Sequence, residues 1–369
     1  MAIGLYIHVP FCLSKCPYCD FYSGPPTEEG MDRYTDAVCR SLREWGGRRR
    51  ERADTLYFGG GTPSLLGGRR LQRILEQSRE VFGLEGAEIT LEANPADELK
   101  ETLRCFAAAG GNRLSLGMQS ADREELRRLG RRHTPDQVLA AAEAARKAGI
   151  QNLSLDMMLG LEGQTPASVA RSAAVCAELD AAHVSAYLLK IEPGTPFGRR
   201  SDLRLPDEEG CAQLYLAACE ALEKAGFVQY EISNFAKPGF SSRHNRKYWN
   251  GEPYLGIGPA AHSFLDGRRF FYPPDVEAFL KGQHPLEEEP DLRLPSGGEE
   301  EYLLLRLRLT RGVEEAAFRR RFGRPLPAAW RRRAAALPGR LVTCDSEGIR
   351  LTREGFLLSN AVIARILDL

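Results

Sequence analysis

Between residues 4 and 191 the chain repeats one pattern six times: a short apolar run, then an amphipathic stretch. The runs predict strands at Gly4–Val9, Thr55–Phe58, Glu88–Ala93, Arg113–Met118, Asn152–Met157 and Val184–Ile191. Helical periodicity lies between them, near 31–45, 68–82, 97–109, 122–129, 135–148 and 167–179. Thr134-Pro135 reads as an N-cap followed by N1, and Gly149 as the residue past the end of that helix. Strands separated by helices pair in parallel, because the crossover returns each strand to the same end of the sheet. Six units fall short of the eight that close a barrel.

The loop after the first strand carries Cys12, Cys16 and Cys19, at C-x3-C-x2-C spacing. Pro10 and Pro17 argue against a helix there, so the stretch reads as a loop turning three sulfurs toward one centre. Thiolates select soft metals: zinc, copper(I) or iron–sulfur clusters. A four-iron cluster normally takes four cysteines, so three leave one iron open to another ligand. A Cys3His zinc site with His8 or another histidine is the alternative. A disulfide is a further one, although nine cysteines is an odd number and no secretion signal is read.

In βα folds chemistry gathers at the carboxyl ends of the strands. Strand two ends in Gly59-Gly60-Gly61-Thr62-Pro63, which lets backbone come close to a ligand. Strand three places Glu92 among Ile89 and Leu91, which is costly unless the carboxylate is partnered. Strand four ends in Gly117-Met118-Gln119-Ser120, and strand five carries Asp156. One polar residue per strand on one rim reads as a site lining.

The cysteine loop, with an aromatic before its third Cys, resembles that of the radical S-adenosylmethionine (SAM) superfamily. The resemblance implies a [4Fe–4S] cluster on Cys12, Cys16 and Cys19, with SAM chelating the open iron. It also implies an α/β fold, a partial (β/α)6 barrel open on one side. The order Tyr6–Cys12, Gly59–Pro63, Leu116–Ser120, Leu129-Gly130-Arg131 and Asp156…Gly160–Thr165 is similar to the oxygen-independent coproporphyrinogen III oxidase family. Carried over by position, that likeness implies SAM contacts at Tyr6, Tyr18, Gly60, Gly61, Thr62, Glu92, Gln119, Arg131 and Asp156. The oxidase branch has a further Cys two residues past the third one, where this chain has Phe21, and a longer segment before the loop. Both departures resemble the HemW-type haem chaperones, which bind haem and pass it to an acceptor. An oxidase acting on coproporphyrinogen III remains the alternative activity. A zinc-stabilised DNA-binding regulator is a second.

Residues 1–200 are thus expected to form the partial barrel. Residues 201–295 form an extension, with a helix over 207–225, a strand over Phe227–Phe235 and the run His244-Asn245-Arg246-Lys247-Tyr248-Trp249. That run resembles the His-Asn-x-x-Tyr-Trp motif of the chaperone branch, so His244, Asn245, Tyr248 and Trp249 are candidate haem contacts. An imidazole can be an axial haem ligand, with His262 the second candidate. Gly256 and Gly258 would let backbone approach a flat ligand. Residues 287–290 and 295–298 read as a linker, and 296–369 as a small winged-helix-like α+β domain. From 299 onward there are 14 Arg and 9 acids, a net +5. The whole chain is neutral, with 50 basic and 50 acidic residues, which supplies no bulk attraction to nucleic acid. The family it resembles carries a similar C-terminal domain without nucleic-acid work, which implies a docking or acceptor-binding domain here and no nucleic-acid partner, with Leu303, Leu304, Leu307 and Phe318 needed for its core. No run approaches the ~20 apolar residues of a membrane span. A cytoplasmic protein is expected, whose transient contact with a membrane-bound acceptor is allowed.

Overall fold

The structure, a computed structural model, describes residues 2–283, 285–288 and 294–369. Of the expected linker, Glu289 and Pro290 lie outside the described residues.

Six parallel strands form the frame: β1 (Ile3–Val9), β2 (Ala53–Gly60), β3 (Glu88–Ala93), β4 (Arg113–Gln119), β5 (Asn152–Leu159) and β6 (His183–Leu188). The helices between them are α1 (Glu28–Arg48), α2 (Gly67–Phe82), α3 (Lys100–Ala108), α4 (Arg123–Arg128), α5 (Pro135–Lys147) and α6 (Pro166–Glu178). Each strand alternates. Leu5, Ile7, Leu56, Phe58, Leu91, Leu114, Leu155 and Val184 are buried in one core cluster that includes residues of the helices. Burying one such side chain is worth about 1.5–3 kcal/mol. The other face carries Tyr6, Tyr57, Thr90, Glu92, Arg113, Ser115, Ser154, Asp156, His183 and Ser185. The parallel register makes these neighbours: Tyr6 pairs with Tyr57, Tyr57 with Thr90, Thr90 with Arg113, Glu92 with Ser115 and Asp156 with Ser185. Parallel sheets with both faces dry read as continuous apolar runs. This polar row marks an inner face that is not a dry core.

The later elements extend the same sheet. They are α7 (Glu208–Lys224), β7 (Val228–Gln229), β8 (Asn234–Ala236), α8 (Arg243–Asn250), β9 (Tyr254–Ile257), β10 (His262–Leu265), β11 (Arg268–Phe271), α9 (Val276–Lys281) and β12 (Glu287–Glu288). The strand order is β12-β11-β10-β9-β1-β2-β3-β4-β5-β6-β8-β7, a mixed sheet that does not close. Strand β9 runs parallel to β1, a seventh parallel strand that the alternation did not show. The strand expected over Phe227–Phe235 is instead two short ones. The chain reverses between them, held by Ser233 N–H on Glu231 Oε1 at 3.1 Å and Tyr230 N–H on the Asn234 carbonyl at 3.1 Å.

The C-terminal unit comprises α10 (Glu299–Arg306), β13 (Val313–Glu314), α11 (Glu315–Phe322), α12 (Ala328–Ala335), β14 (Val342–Asp345), β15 (Gly348–Leu351), α13 (Arg353–Leu357) and α14 (Ser359–Leu367). Helix, strand, two helices and a hairpin, with strand order β13-β15-β14, make a winged helix. The last helical stretch is two helices, α13 and α14, that meet at Leu358.

Helix α8 decides which end of the frame is open. Glu88, at the start of β3, accepts the backbone N–H groups of Arg243 and His244, each at 3.0 Å. Thr55, near the start of β2, is bonded to the His244 ring, and Gly4 of β1 packs closely against Lys247 and that ring. The helix thus lies across the amino ends of three strands. The carboxyl ends stay open.

Candidate functional site

At the carboxyl ends a cavity of about 440 Å³ is lined by Cys12, Cys16 and Cys19, by residues of β2 to β6, and by residues of the loops after β2, β3, β4 and β6. The cysteine loop is pinned on both sides. Cys12 N–H donates to the Gly24 carbonyl at 2.8 Å and Gly24 N–H to the Pro10 carbonyl at 2.9 Å. The neighbouring glycine loop lies flat against it: Gly61 N–H reaches the Val9 carbonyl at 2.8 Å, and Thr62 N–H the Phe11 carbonyl at 2.7 Å. A side chain at Gly61 would come within 2.4 Å of the Phe11 oxygen, so only glycine permits this contact.

The thiols are free and half-buried. Cys12 Sγ lies 3.4 Å from Thr62 Oγ1, and the Arg131 Nη1 donor lies 3.2 Å from Cys16 Sγ. Arg131 also donates to the Gly117 carbonyl at 3.0 Å. Gly117 makes room for this, since a side chain there would strike both Arg131 and Gln119. Gln119 itself takes a left-handed backbone, φ 64°. Such strain in a non-glycine residue is held where surrounding structure over-determines it, commonly at functional sites. Gln119 Oε1 and Arg131 Nε are buried without hydrogen-bond partners.

Two carboxylates sit deeper. Tyr57 OH donates to Glu92 Oε1 at 2.7 Å, and Ser115 Oγ to Asp156 Oδ1 at 3.3 Å. Burial pushes Glu92 up to about 7 and Asp156 to about 6, and for Glu92 the neighbouring Asp156 adds to the shift. Both titrate near neutrality. Of the nine positions expected to touch SAM, eight line this cavity: Tyr18, Gly60, Gly61, Thr62, Glu92, Gln119, Arg131 and Asp156. Tyr6 does not. Its ring lies behind the cavity, stacked against Tyr57 and His244 at 6.3 and 6.4 Å, and its OH is bonded to His8 Nδ1. Sequence reasoning missed Tyr57, Ser115 and Tyr187, which also line it. Their inward place in the strand alternation was the available signal.

The His-Asn-x-x-Tyr-Trp run is α8, at the other end of the frame. His244 is 1% exposed. Its Nδ1 is bonded to Thr55 Oγ1 at 2.7 Å and its Nε2 to Tyr248 OH at 2.8 Å. Burial pushes its pKa down to about 3, so the ring is neutral. Tyr248 packs edge-on against Tyr254, with ring centroids 4.5 Å apart. Asn245 N–H is held by the Ser242 cap, and the Trp249 ring neighbours the buried Glu231. None of the four reaches the cavity. His262 is exposed and stacked on Phe271. Gly256 and Gly258 make room for the His262 and His8 carbonyls of adjoining strands, not for a flat ligand.

Residues 6–176 match the Radical SAM superfamily, and residues 300–358 the HemN C-terminal domain. The "Heme chaperone HemW" of Lactococcus lactis is 36% identical over 98% of this chain and 96% of its own. That of Bacillus subtilis is 34% identical over 98% of each. This chain belongs to the HemW family. The HemW protein of Escherichia coli is 38% identical over 79% of this chain and 78% of its own. The fold is also that of coproporphyrinogen III oxidase (HemN) from E. coli, with TM-score 0.82 at 21% identity, covering 99% of this chain and 90% of that one.

In this HemW-family chain the donor set suits an iron–sulfur cluster. Three thiols face one cavity, with a guanidinium and a hydroxyl against two of the sulfurs. A Cys3His zinc site completed by His8 does not fit. Both ring nitrogens of His8 are bonded, to Tyr6 OH and the Tyr22 carbonyl. The carboxylates, the glycine backbone and the unpartnered Gln119 and Arg131 atoms suit a polar cationic ligand such as SAM. A haem on His244 does not fit the arrangement shown, since both ring nitrogens are engaged inside the protein.

Proposed function

We propose that the chain is a haem chaperone. It binds haem, holds a [4Fe–4S] cluster on Cys12, Cys16 and Cys19 with SAM on the fourth iron, and passes haem to an acceptor protein. The observation that carries the cofactor reading is the gathering of three thiols and eight SAM-matched residues around one cavity. Haem as cargo rests on family membership, since the HemW relatives are named heme chaperones. Cys residues hold iron; Gly60, Gly61, Gln119 and Arg131 present hydrogen-bonding groups; Glu92 and Asp156 present negative charge toward a sulfonium ligand. When bound, the cluster and SAM supply one-electron chemistry. Phe21, in place of the oxidase branch's additional Cys, supports transfer over porphyrinogen oxidation.

No helix among the described residues is long and apolar enough to cross a membrane. We place the chaperone in the cytoplasm, with any membrane-bound acceptor met transiently. The test is anaerobic reconstitution followed by iron, SAM and haem titration. About four irons per chain are expected, falling to the apo level in Cys16→Ala. Saturable haem binding and release to apo-haemoproteins are expected as well. Porphyrin formation from coproporphyrinogen III, with no haem binding, would replace this reading with the oxidase.

A further inference from the structure

The cluster and SAM occupy the polar part of the cavity and leave an apolar wall unused. Along the inner row of β5 and β6 the chemistry changes outward. Asp156 pairs with Ser185, and the next inward pair is Met158 with Tyr187. At about 3.3 Å per residue, that pair stands ~6.6 Å nearer the mouth. Tyr18, Met158 and Leu189 line the cavity and pack against Leu129, Leu161 and Phe197, in a cluster apart from the main core. Phe197 N–H donates to the Pro17 carbonyl at 2.9 Å, and its ring centroid lies 6.2 Å from that of Tyr18. These contacts fasten the apolar wall to the cysteine loop.

At the outer edge of the same cavity, large apolar side chains face water. Phe21 is 60% exposed, and Tyr187 and Leu188 are each 40% exposed. Apolar surface gathered at a cavity marks a place that a ligand covers. The sheet explains the opening. Strand β8 pairs with β6 over His183–Ser185 and stops there, so Tyr187 and Leu188 lie where the sheet has run out on that side. A flat ligand can enter edge-on through such a gap. Lys15 and Lys190 also line the cavity. Lys190 is bonded to Glu192 at 2.5 Å, whereas Lys15 joins no ion pair among the described residues. The other acid at this rim is Asp20. The Lys15 ammonium, on the exposed face of the loop, is free to meet an anionic group.

We propose that this apolar mouth is the haem seat: the macrocycle lies against Phe21, Met158, Tyr187 and Leu188, outside the cluster and SAM, with a propionate on Lys15. The assignment deepens the chaperone reading and rests on haem being the cargo. Haem is a flat, largely apolar plate with two carboxylates on one edge, and the rim offers apolar walls with an ammonium among them. A seat left open to water also suits a cargo that has to leave. Haem then sits at the carboxyl ends of the strands, at the opposite end of the frame from α8.

The test is absorbance titration of haem into the anaerobically reconstituted chain, with iron content and SAM binding measured on the same samples. Phe21→Ser and Leu188→Ser should each weaken haem binding about tenfold. Both side chains are exposed, so iron per chain, SAM affinity and melting temperature should match wild type. His244→Phe should bind haem as wild type does. Haem dimethyl ester, whose propionates are blocked, should bind wild type more weakly than haem, and Lys15→Met should narrow that difference. This second variant probes the seat without touching its apolar walls. Wild-type haem affinity in the Phe21→Ser, Leu188→Ser double variant would overturn the proposal, as would loss of haem in His244→Phe alone. Haem would then sit elsewhere and the chaperone reading would stand. No saturable haem binding by wild type would instead overturn the cargo reading, and this seat with it.

Discussion

Glu92 carries the most informative single-residue chemistry. Its carboxyl is held at about 7 by burial, against a donor from Tyr57. The folded value is raised, so the protonated form is favoured by folding. The stabilisation is present below about pH 4.5 and lost as pH climbs through about 7. At one unit per 1.36 kcal/mol the loss is at most about 3 kcal/mol. Glu92→Gln should therefore lessen the decline of apo melting temperature between pH 5 and 7 and weaken the pH dependence of SAM binding, leaving the part carried by Asp156. An unchanged melting slope would show that other groups carry the titration. At the same scale, Gly61→Ala should displace the glycine loop from Phe11 and lower cluster occupancy, read as iron per chain.

Among the elements, α8 is the least ordinary. Eight residues, Arg243–Asn250, close the amino end of the frame. Glu88 receives two of its first N–H groups, as an acid at a helix start should. Glu88→Ala leaves those donors buried and should cost about 2 kcal/mol in urea unfolding. His244→Phe keeps the ring packing but strands Thr55 and Tyr248, a loss of about 1–3 kcal/mol. If His244 served only as an exposed ligand, that variant would lose haem without losing stability.

Across the whole molecule, Arg306 ties the winged helix to the frame. It donates to the Gly312 carbonyl at 3.1 Å, to Asn250 at 2.5 Å and to Glu314 at 2.9 Å. A bridge between Glu231 and Leu309 and the Arg321 donors on the Gly251 carbonyl make the same connection. The C-terminal unit thus backs the helix that plugs the frame. Arg306→Ala should lower stability by about 2–4 kcal/mol through its unpaired partners. Unfolding should show the plug and the winged helix losing hydrogen-exchange protection together. Separate transitions for the two units would show that they are not coupled.

The strand alternation from Ile3 to Leu188 was legible because each strand has one apolar face, and the cap at Thr134 marks where one of the helices begins. The thiol spacing and the strand-end residues were legible for the same local reason: β-carbon direction alternates, so Glu92 and Asp156 had to face the inside. Which end of the frame α8 would occupy was not legible. The sequence of that helix specifies a buried His–Tyr pair, but Glu88, Thr55 and Gly4, its anchors, lie far away in the chain. Nor could the parallel insertion of β9 beside β1 be read locally, because four residues, Tyr254–Ile257, acquire a direction only from the strand they join. Local periodicity determined the face each side chain takes. Long-range contacts decided which faces meet, because their energy exists only once the whole sheet has assembled.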